Sequence, residues 1–422
     1  MKSTQETKIY GILYLVMAML SLTACDSSYE SDFTTDTVTP YCVICYSSSG
    51  DKDHDAIIKF LMSDLVSSTK GTNCAVTYML KPAEGCGDTV NRYYGGNGEA
   101  KKDESWEQPT KGFPITKPET LAEFIKWSAE QFPNHRYVLV TIGHGEAWME
   151  EDARDDARSR TMLYDDGYWM KSYQLTDAVK ASGVKIDAFL TSCCLQGSIE
   201  HLTEWKGVAD YVASNSTVHP DCSDSFGILV SLLNGITTNK GDELGDAIVA
   251  YYEALAKYAK IEDTPVSGTV VDMKKIDAVN EVLRETFAYM LSSLDKKSVS
   301  TDKPAILGET YRSAFQRAIK QTYKYEFAYT KPADVEQMLY DCTMYSADPV
   351  MIRHMEDVIA AIDDAILYRF TTDTRPDIFR SWSICANLSL FKSDSFKKDY
   401  STTAFTAATG YLDLISELAK DN

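Results

Sequence analysis

The sequence lacks the features of a nucleic-acid-binding protein and of a polytopic membrane protein. It has 42 Lys and Arg residues against 62 Asp and Glu, a formal net charge of -20, and no basic cluster long enough to follow a phosphate backbone. An acidic surface repels polyanions, so we expect no nucleic acid partner. The chain also lacks an internal repeat and, beyond its N-terminal segment, any apolar run long enough to span a membrane.

Cysteine is present in moderate number but not in a pattern typical of disulfides or metal sites. Most of the 10 cysteines stand inside apolar runs, so we expect Cys42, Cys45, Cys74 and Cys385 in the core. The Cys42-Val-Ile-Cys45 spacing matches a redox or metal motif superficially. However, residues three apart on a strand point to opposite faces, and we therefore expect no metal there.

The N-terminus has the order of a bacterial signal peptide. Lysines precede an apolar segment of twelve residues, Ile9–Leu20, which is followed by Leu-Thr-Ala-Cys25. This ending resembles a lipobox. The resemblance implies a signal peptide over residues 1–24, a lipid on Cys25, a polar tether over 25–39, and an extracytoplasmic protein anchored to a bacterial membrane, the outer membrane or the cell surface. The alternative is an ordinary secretory signal that happens to lie near Cys25.

The rest of the chain alternates strand and helix patterns, which predicts an α/β fold with a parallel sheet. With 44% hydrophobic residues in 422, it can build a large core. Residues 85–114 are predicted as a surface hairpin or loop. The predicted strands are Tyr41–Tyr46, Cys74–Leu80, Tyr137–Ile142, Ile186–Leu190 and Ala209–Ser214, and the predicted helices are Ala56–Leu65, Pro118–Gln131, Leu175–Ser182, Asp242–Lys260, Val282–Leu294 and Glu356–Tyr368.

Two of these strands end in residues suited to nucleophilic catalysis. One stops at Gly143-His144-Gly145 and the other at Cys193-Cys194. A thiol is a useful nucleophile only as thiolate, and histidine is the usual base. Glycine lets a backbone N–H approach a substrate carbonyl, so the N–H groups of Gly145 and Cys194 are candidates for stabilising an oxyanion. The alternative is a buried histidine and two buried cysteines without chemistry.

These residues resemble the clostripain family of cysteine peptidases, in the caspase-like clan. The family pattern is His-Gly with Trp three residues beyond the glycine, then Cys-Leu with Glu six residues beyond the cysteine. Here they are His144-Gly145 with Trp148, and Cys194 with Glu200. Residues 269–277 and 387–415 resemble the opening and closing segments of the family's C-terminal half.

The resemblance implies a caspase-like sandwich, with a mostly parallel central sheet flanked by helices over residues 40–265 and a mainly helical C-terminal subdomain over 266–422. It also implies a Cys194/His144 dyad endopeptidase. Cys193 then occupies a position that is alanine in the family. A vicinal Cys193–Cys194 disulfide would disable the site, although its eight-membered ring is strained.

The departures from the family pattern concern specificity. Relatives cleave after Arg or Lys, and an aspartate two residues before the nucleophile is thought to hold that side chain; here the residue is Ser192. A hydroxyl cannot replace the charge-assisted pairing of a carboxylate with a guanidinium. Asn215 stands where the family has Glu, a second loss of negative charge. Asp221 and Asp224 are candidates to compensate, and a small, polar or apolar residue before the scissile bond competes with a basic one.

Relatives are often activated by cleavage in the loop after the histidine strand, here residues 149–161. Its basic residues are Arg154, Arg158 and Arg160, and self-cleavage there is expected only if the enzyme accepts arginine. The loop is also rich in acids that offer ligands to calcium, but their spacing is not that of an EF-hand. We expect no required cofactor and no structural or catalytic metal, with calcium as an optional ligand.

The sequence therefore predicts a lipid-anchored cysteine endopeptidase, a monomer that acts on protein or peptide substrates. The alternative is a catalytically weak or inactive member of the same fold that serves as a membrane-anchored protein- or peptide-binding module. Retention of both His144 and Cys194 favours the enzyme.

Overall fold

A nine-stranded sheet and a set of helices around it account for most of the chain in the computed structural model. The structure describes residues 38–145, 162–165, 168–219, 225–261, 266–298, 308–325, 330–372 and 380–420. The strands are β1 (Tyr41–Ser48), β2 (Ala75–Lys81), β3 (Thr89–Gly96), β4 (Glu99–Pro109), β5 (Arg136–Ile142), β6 (Met162–Asp165), β7 (Tyr168–Met170), β8 (Ala188–Ser192), β9 (Tyr211–Asn215), β10 (Ser267–Asp272), β11 (Pro332–Asp334), β12 (Ile366–Thr371) and β13 (Ser383–Cys385).

Thirteen helices lie within the described ranges, and two short 3₁₀ turns accompany them. None of these helices combines the length and apolar character needed to cross a bilayer. They are α1 (Lys52–Ser68), α2 (Pro118–Gln131), α3 (Ser172–Ser182), α4 (Ile199–Glu204), α5 (Ser225–Asn234), α6 (Gly241–Ile261), α7 (Ile276–Ser292), α8 (Tyr311–Gln321), α9 (Val335–Ser346), α10 (Pro349–Ala365), α11 (Asp394–Tyr400), α12 (Ala404–Thr409) and α13 (Tyr411–Ala419).

The main sheet is parallel at its centre and antiparallel at both margins. Its strand order is β12-β10-β9-β8-β5-β1-β2-β3-β4, and the strands from β9 to β2 run in one direction. The predicted hairpin is β3 and β4, which extend one margin of the sheet. The prediction of an α/β fold with a mostly parallel central sheet flanked by helices is confirmed.

Two predicted element boundaries are wrong for identifiable reasons. Helix α1 begins four residues before the predicted Ala56, because Asp51 caps it by accepting a hydrogen bond from the His54 N–H at 2.9 Å. The predicted helix Glu356–Tyr368 ends instead at Ala365, and the next six residues form β12. Their exposure alternates along the strand, as expected for a strand with one solvated face, and they pair with β10.

The C-terminal part of the chain completes the main sheet as well as adding helices. The predicted boundary between residues 265 and 266 falls between α6 and β10, and strands from both sides of it pair in one sheet. The described residues from Thr39 onward form one compact unit. Within it, the buried Glu200 carboxylate accepts hydrogen bonds from the Cys385 N–H at 2.8 Å and the Tyr400 hydroxyl at 2.7 Å. This fastens the C-terminal segment to α4, directly after the cysteine pair.

The cysteines predicted in the core are there. Cys42, Cys45, Cys74 and Cys385 are all buried, and no disulfide joins the eight cysteines that the structure describes. Cys42 packs in one hydrophobic cluster with Ile44 and other residues of the same strand face. Strand alternation directs Cys45 to the opposite face, so the two thiols do not share a metal ion.

Candidate active site

The strand order places three loops side by side at one edge of the sheet. Strand β1 lies between β2 and β5. The connection after β1 leads to β2 on one side, and the connection after β5 leads to β8 on the other, so a crevice opens outside the carboxyl ends of β1 and β5. In the strand register, Ile142 pairs with Ser47 of β1 and with Ser192 of β8. The three strands therefore end level, and the residues that follow them bring Asp51, His144 and Cys194 to the same crevice.

Gly145 and Cys194 are in direct backbone contact across this crevice. A Cβ atom on Gly145 would lie 2.1 Å from the carbonyl oxygen of Cys194 and 2.7 Å from its nitrogen. Real Cβ atoms do not approach other atoms so closely, so only glycine fits. Gly143 has a similar constraint, since its Cβ would lie 2.9 Å from the Ser48 carbonyl oxygen. Both glycines next to His144 thus hold the end of β5 close to its neighbours.

We expect Gly145→Ala to separate the two loops. The added methyl would meet backbone atoms, which cannot rotate away, so overpacking should cost about 1–3 kcal/mol of unfolding free energy. A displacement of about 1 Å at a reacting group typically costs roughly 100-fold in rate, and we expect at least that loss in kcat/KM for peptide hydrolysis. Thermal unfolding and peptide kinetics measure both effects.

A suitable control is Gly227→Ala in helix α5. There the nearest atoms lie 3.8 Å from the added Cβ, an ordinary contact, and alanine stabilises a helix by about 0.4–1 kcal/mol over glycine. If both variants kept full activity and stability, the close approach of Gly145 to Cys194 would be wrong.

Asp51 holds the imidazole of His144. The Nε2 atom of His144 lies 2.7 Å from Oδ2 of Asp51. Partial burial raises the pKa of the Asp51 carboxyl, but hydrogen bonds from the His54 N–H and the His144 ring, with the charges of both imidazoles, outweigh it and lower the pKa to about 2. Asp51 is therefore a carboxylate at neutral pH. Because a carboxylate only accepts hydrogen bonds, Nε2 of His144 carries a proton, and in the neutral ring Nδ1 has the lone pair.

A second histidine stands beside the first. The ring of His54, in the first turn of α1, lies with its centroid 4.0 Å from that of His144 at an interplanar angle of 60°. Its Nδ1 atom is 3.1 Å from Oδ2 of Asp51. One carboxylate oxygen therefore faces two imidazoles, and these three residues form a group with three potential metal ligands.

The loop with Cys194 has a strained backbone. Leu195 has a φ angle of 61°, a conformation that bulky side chains rarely adopt and that is often found at functional sites. Hydrogen bonds from the Leu195 N–H to Thr217 and from the Gly197 N–H to Asn215, both at 2.8 Å, hold it against the end of β9. Cys194 is half-buried, and both Cys194 and Tyr325 pack against the buried Leu195.

The segment after β9 contacts the thiol directly. The His219 N–H donates a hydrogen bond to Sγ of Cys194 at 3.4 Å, and Nδ1 of His219 lies 3.1 Å from the amide oxygen of Asn215. Burial lowers the pKa of His219 to about 4, so the ring is neutral at neutral pH. Asn215 itself is fully buried, and Tyr252 also donates to its Oδ1 at 3.4 Å. Asn215 therefore contacts the ring of His219, and His219 in turn contacts the thiol through its backbone N–H.

The two neighbouring cysteines have different surroundings. Cys193 is fully buried in the hydrophobic core, with Sγ 3.9 Å from the Thr141 carbonyl oxygen, and burial raises the pKa of its thiol to about 12. Such a thiol is inert at neutral pH. Ser192, the residue before it, is half-buried at the end of β8.

Several predicted residues lie outside the described part of the chain. They are Cys25 of the lipobox, the loop arginines Arg154, Arg158 and Arg160 with the nearby acids, and the pocket candidates Asp221 and Asp224. Conversely, sequence reasoning missed Asp51, His54, His219 and Tyr325. The position of Asp51 after the first strand was a usable signal, because the switch point of a parallel sheet lies beside its first strand. No local pattern distinguished the other three.

Comparisons with known proteins bear on the family and the fold of the chain. A family model described as the clostripain family matches residues 99–416. A secreted C11 cysteine protease from Bacteroides thetaiotaomicron has a similar structure, with a TM-score of 0.61 at 14% sequence identity over 88% of this chain and 99% of that chain. An inactive zymogen C11 protease from Parabacteroides distasonis has a TM-score of 0.59 at 14% identity, with the same coverage of both chains. At these identities the structures establish the fold alone. No curated protein matches significantly.

Proposed function

The chain belongs to the clostripain family of cysteine peptidases, and from this premise we propose that it is an endopeptidase with Cys194 as nucleophile and His144 as general base. The observation that carries the proposal is the level alignment of the β5 and β8 ends, with Gly145 against the backbone of Cys194. A base, a thiol and two neighbouring backbone N–H groups that can stabilise an oxyanion are the parts that acyl transfer needs.

Each part has one task in this reaction. Nδ1 of His144 takes the proton of the Cys194 thiol, and the thiolate attacks the carbonyl carbon of the scissile bond. The N–H groups of Gly145 and Cys194 stabilise the oxyanion. The imidazolium then protonates the leaving amine, and water hydrolyses the acyl-enzyme with His144 again as base. Asp51 orients the ring and stabilises its charged form. This chemistry requires no metal or other cofactor.

Because the described side chains near the thiol are neutral, we expect a neutral residue before the scissile bond to compete with a basic one. Ser192 and Asn215 carry no charge, and the pKa of His219, which burial lowers to about 4, keeps that ring neutral above this range. Asp221 and Asp224 follow His219 in the sequence, outside the described residues, and are the remaining candidates for holding a basic side chain.

A peptide library that varies the residue before the scissile bond tests both activity and preference. We expect cleavage by the full chain after signal removal and none by Cys194→Ala. Cleavage only after Arg or Lys would show that the neutral substitutions do not remove the family preference, and it would make self-cleavage at Arg154, Arg158 or Arg160 the expected activation step. If the wild-type protein cleaved nothing, even after nicking by trypsin, the binding-module alternative would replace the enzyme.

We also propose that the enzyme acts outside the cytoplasm, anchored by a lipid on Cys25. The support is the signal-peptide order of the N-terminus, and the structural relative from Bacteroides thetaiotaomicron is itself described as secreted. Fractionation of cells that produce the wild type or Cys25→Ser tests the anchor. The wild type should be in the membrane fraction and the variant should not.

A further inference from the structure

We propose that Asp51, His54 and His144 bind a divalent transition-metal ion of the Zn²⁺ type, and that the bound ion inhibits the peptidase. The binding site is inferred from the geometry of these three side chains alone. The inhibition rests in addition on the proposed role of His144 as the general base.

The ligand atoms are already close to the required positions. One ligand atom from each of the three residues lies within 4.8 Å of the other two. Oδ2 of Asp51 is 2.7 Å from Nε2 of His144 and 3.1 Å from Nδ1 of His54. A tetrahedral zinc ion with bonds of about 2.0–2.1 Å holds its ligands about 3.3 Å apart. The Asp51–His54 pair is therefore within about 0.2 Å of that spacing, and the Asp51–His144 pair needs to separate by about 0.6 Å.

The site is held by the local fold. Oδ1 of Asp51 accepts the capping hydrogen bond from the His54 N–H, which leaves Oδ2 directed at both rings. Asp51 and His54 share one helix turn, and the His144 backbone is fixed between Gly143 and Gly145. Because the three side chains are held before the ion arrives, little conformational entropy opposes binding.

The donor set and its exposure select the kind of ion. The side chains of Asp51 and His54 are 48% and 35% exposed, whereas that of His144 is 15% exposed. An ion can thus enter from solvent and keep water as a fourth ligand. Two imidazoles with one carboxylate suit Zn²⁺, Co²⁺ or Ni²⁺, whereas Ca²⁺ and Mg²⁺ prefer oxygen ligands. This donor set is therefore not that of a calcium site.

The ion would inhibit by reversing the tautomer of His144. Without metal, the N–H at Nε2 donates a hydrogen bond to the Asp51 carboxylate, and Nδ1 has the lone pair. A metal ion on Nε2 displaces that proton to solvent, Nδ1 takes up one proton from solvent in exchange, and the ring stays neutral with its single proton on Nδ1. In that form Nδ1 cannot accept the proton of the Cys194 thiol. The metal also takes the Asp51 oxygen that would stabilise the imidazolium.

Binding can be measured without activity by using the Cys194→Ala protein, which removes the thiol as a competing ligand. We expect equilibrium dialysis to show one tightly bound Zn²⁺ and Co²⁺ to give the visible spectrum of a four-coordinate site. His54→Ala in this background should weaken binding by at least about 10- to 100-fold, the loss caused even by an outer-shell partner. The helix cap remains, because Asp51 bonds to the backbone of His54. His354→Ala is the matched control, because it removes a histidine of helix α10 that does not belong to this ligand group. This variant should bind Zn²⁺ as before.

The outcomes separate the site from the mechanism. Binding that is unaffected by His54→Ala, or that disappears with Cys194→Ala alone, would overturn the proposed site. With the thiol present, Zn²⁺ should inhibit peptide hydrolysis, and EDTA should reverse the inhibition. His54→Ala should raise the inhibitory Zn²⁺ concentration by the same factor by which it weakens Zn²⁺ binding in dialysis. Binding without inhibition would uphold the ligands and refute the inhibitory role. If the wild type hydrolyses no peptide at all, only the proposed function fails, and the dialysis result still decides the site.

Discussion

Cys194→Ala is expected to lower kcat/KM for peptide hydrolysis by roughly four to six orders of magnitude, the effect of removing a nucleophile from a hydrolase that works through an acyl-enzyme. The loss should appear in kcat, because the substitution removes the group that forms the covalent bond and leaves the substrate cleft in place. Single-turnover kinetics should show no acyl-enzyme burst, and a thiol-directed peptide inhibitor should no longer label the protein.

The neighbouring cysteine is the control for this experiment. Cys193→Ala changes the same residue type one position away, but its thiol is buried and contacts Thr141. We expect about 1 kcal/mol of destabilisation from the small cavity and less than about a tenfold change in kcat. Under oxidising conditions the wild type should keep as much activity as this variant, which cannot form the vicinal disulfide, and a selective loss in the wild type would indicate that the disulfide forms. Loss of activity in Cys193→Ala with retention in Cys194→Ala would reverse the assignment of the nucleophile.

Asp51→Asn is expected to lower kcat by roughly 100- to 10,000-fold with little change in KM, as the equivalent change does in a Ser-His-Asp triad. The amide keeps the size of the carboxylate and its ability to cap α1, since asparagine caps as well as aspartate does. It does not supply the negative charge that stabilises the His144 imidazolium. Asp348→Asn is a matched control, because Asp348 also caps a helix, by accepting from the Val350 N–H at 3.0 Å.

The dependence of stability on pH provides a separate readout for Asp51. The pKa of its carboxyl is lowered to about 2 in the folded protein, against about 3.9 in an unfolded chain. A depressed pKa stabilises the folded state above the unfolded value, and this contribution disappears as pH falls through about 2. The stability difference between wild type and Asp51→Asn should therefore narrow from about pH 4 downward. A constant difference would mean that the Asp51 contacts are not formed in solution.

The local sequence was sufficient to predict those elements whose structure depends on interactions between residues close in the chain. Helix α2 has the bounds predicted for it, because Pro118 starts the helix and a periodic apolar face sustains it. The apolar runs before His144 and Cys194 predicted buried strands for the same kind of reason. The glycine after His144 predicted close approach to a substrate carbonyl, whereas its close approach to the Cys194 backbone emerged only in the structure. Those patterns, with the family resemblance, were enough to nominate His144 and Cys194.

Local patterns were insufficient to predict those features that depend on pairing between segments distant in the chain. The predicted helix continued from Ala365 to Tyr368, but β10 offers an unpaired edge there, and the six residues after Ala365 form β12. Asp51 is 93 residues from His144, and it lies before the segment that matches the family model. Likewise, His219 reaches Cys194 only because β9 pairs beside β8.

The sequence by itself therefore determined the α/β class and most of the element order, because periodicity, capping and turn chemistry act over a few residues. Together with the family resemblance, it nominated His144 and Cys194 as the dyad. The tertiary structure alone decided what surrounds those residues. Strand order is set by hydrogen-bond ladders and side-chain packing between remote segments, which no local period encodes. By placing β1 beside β5, that order supplies the imidazole of His144 with its carboxylate partner Asp51 and with the neighbouring ring of His54.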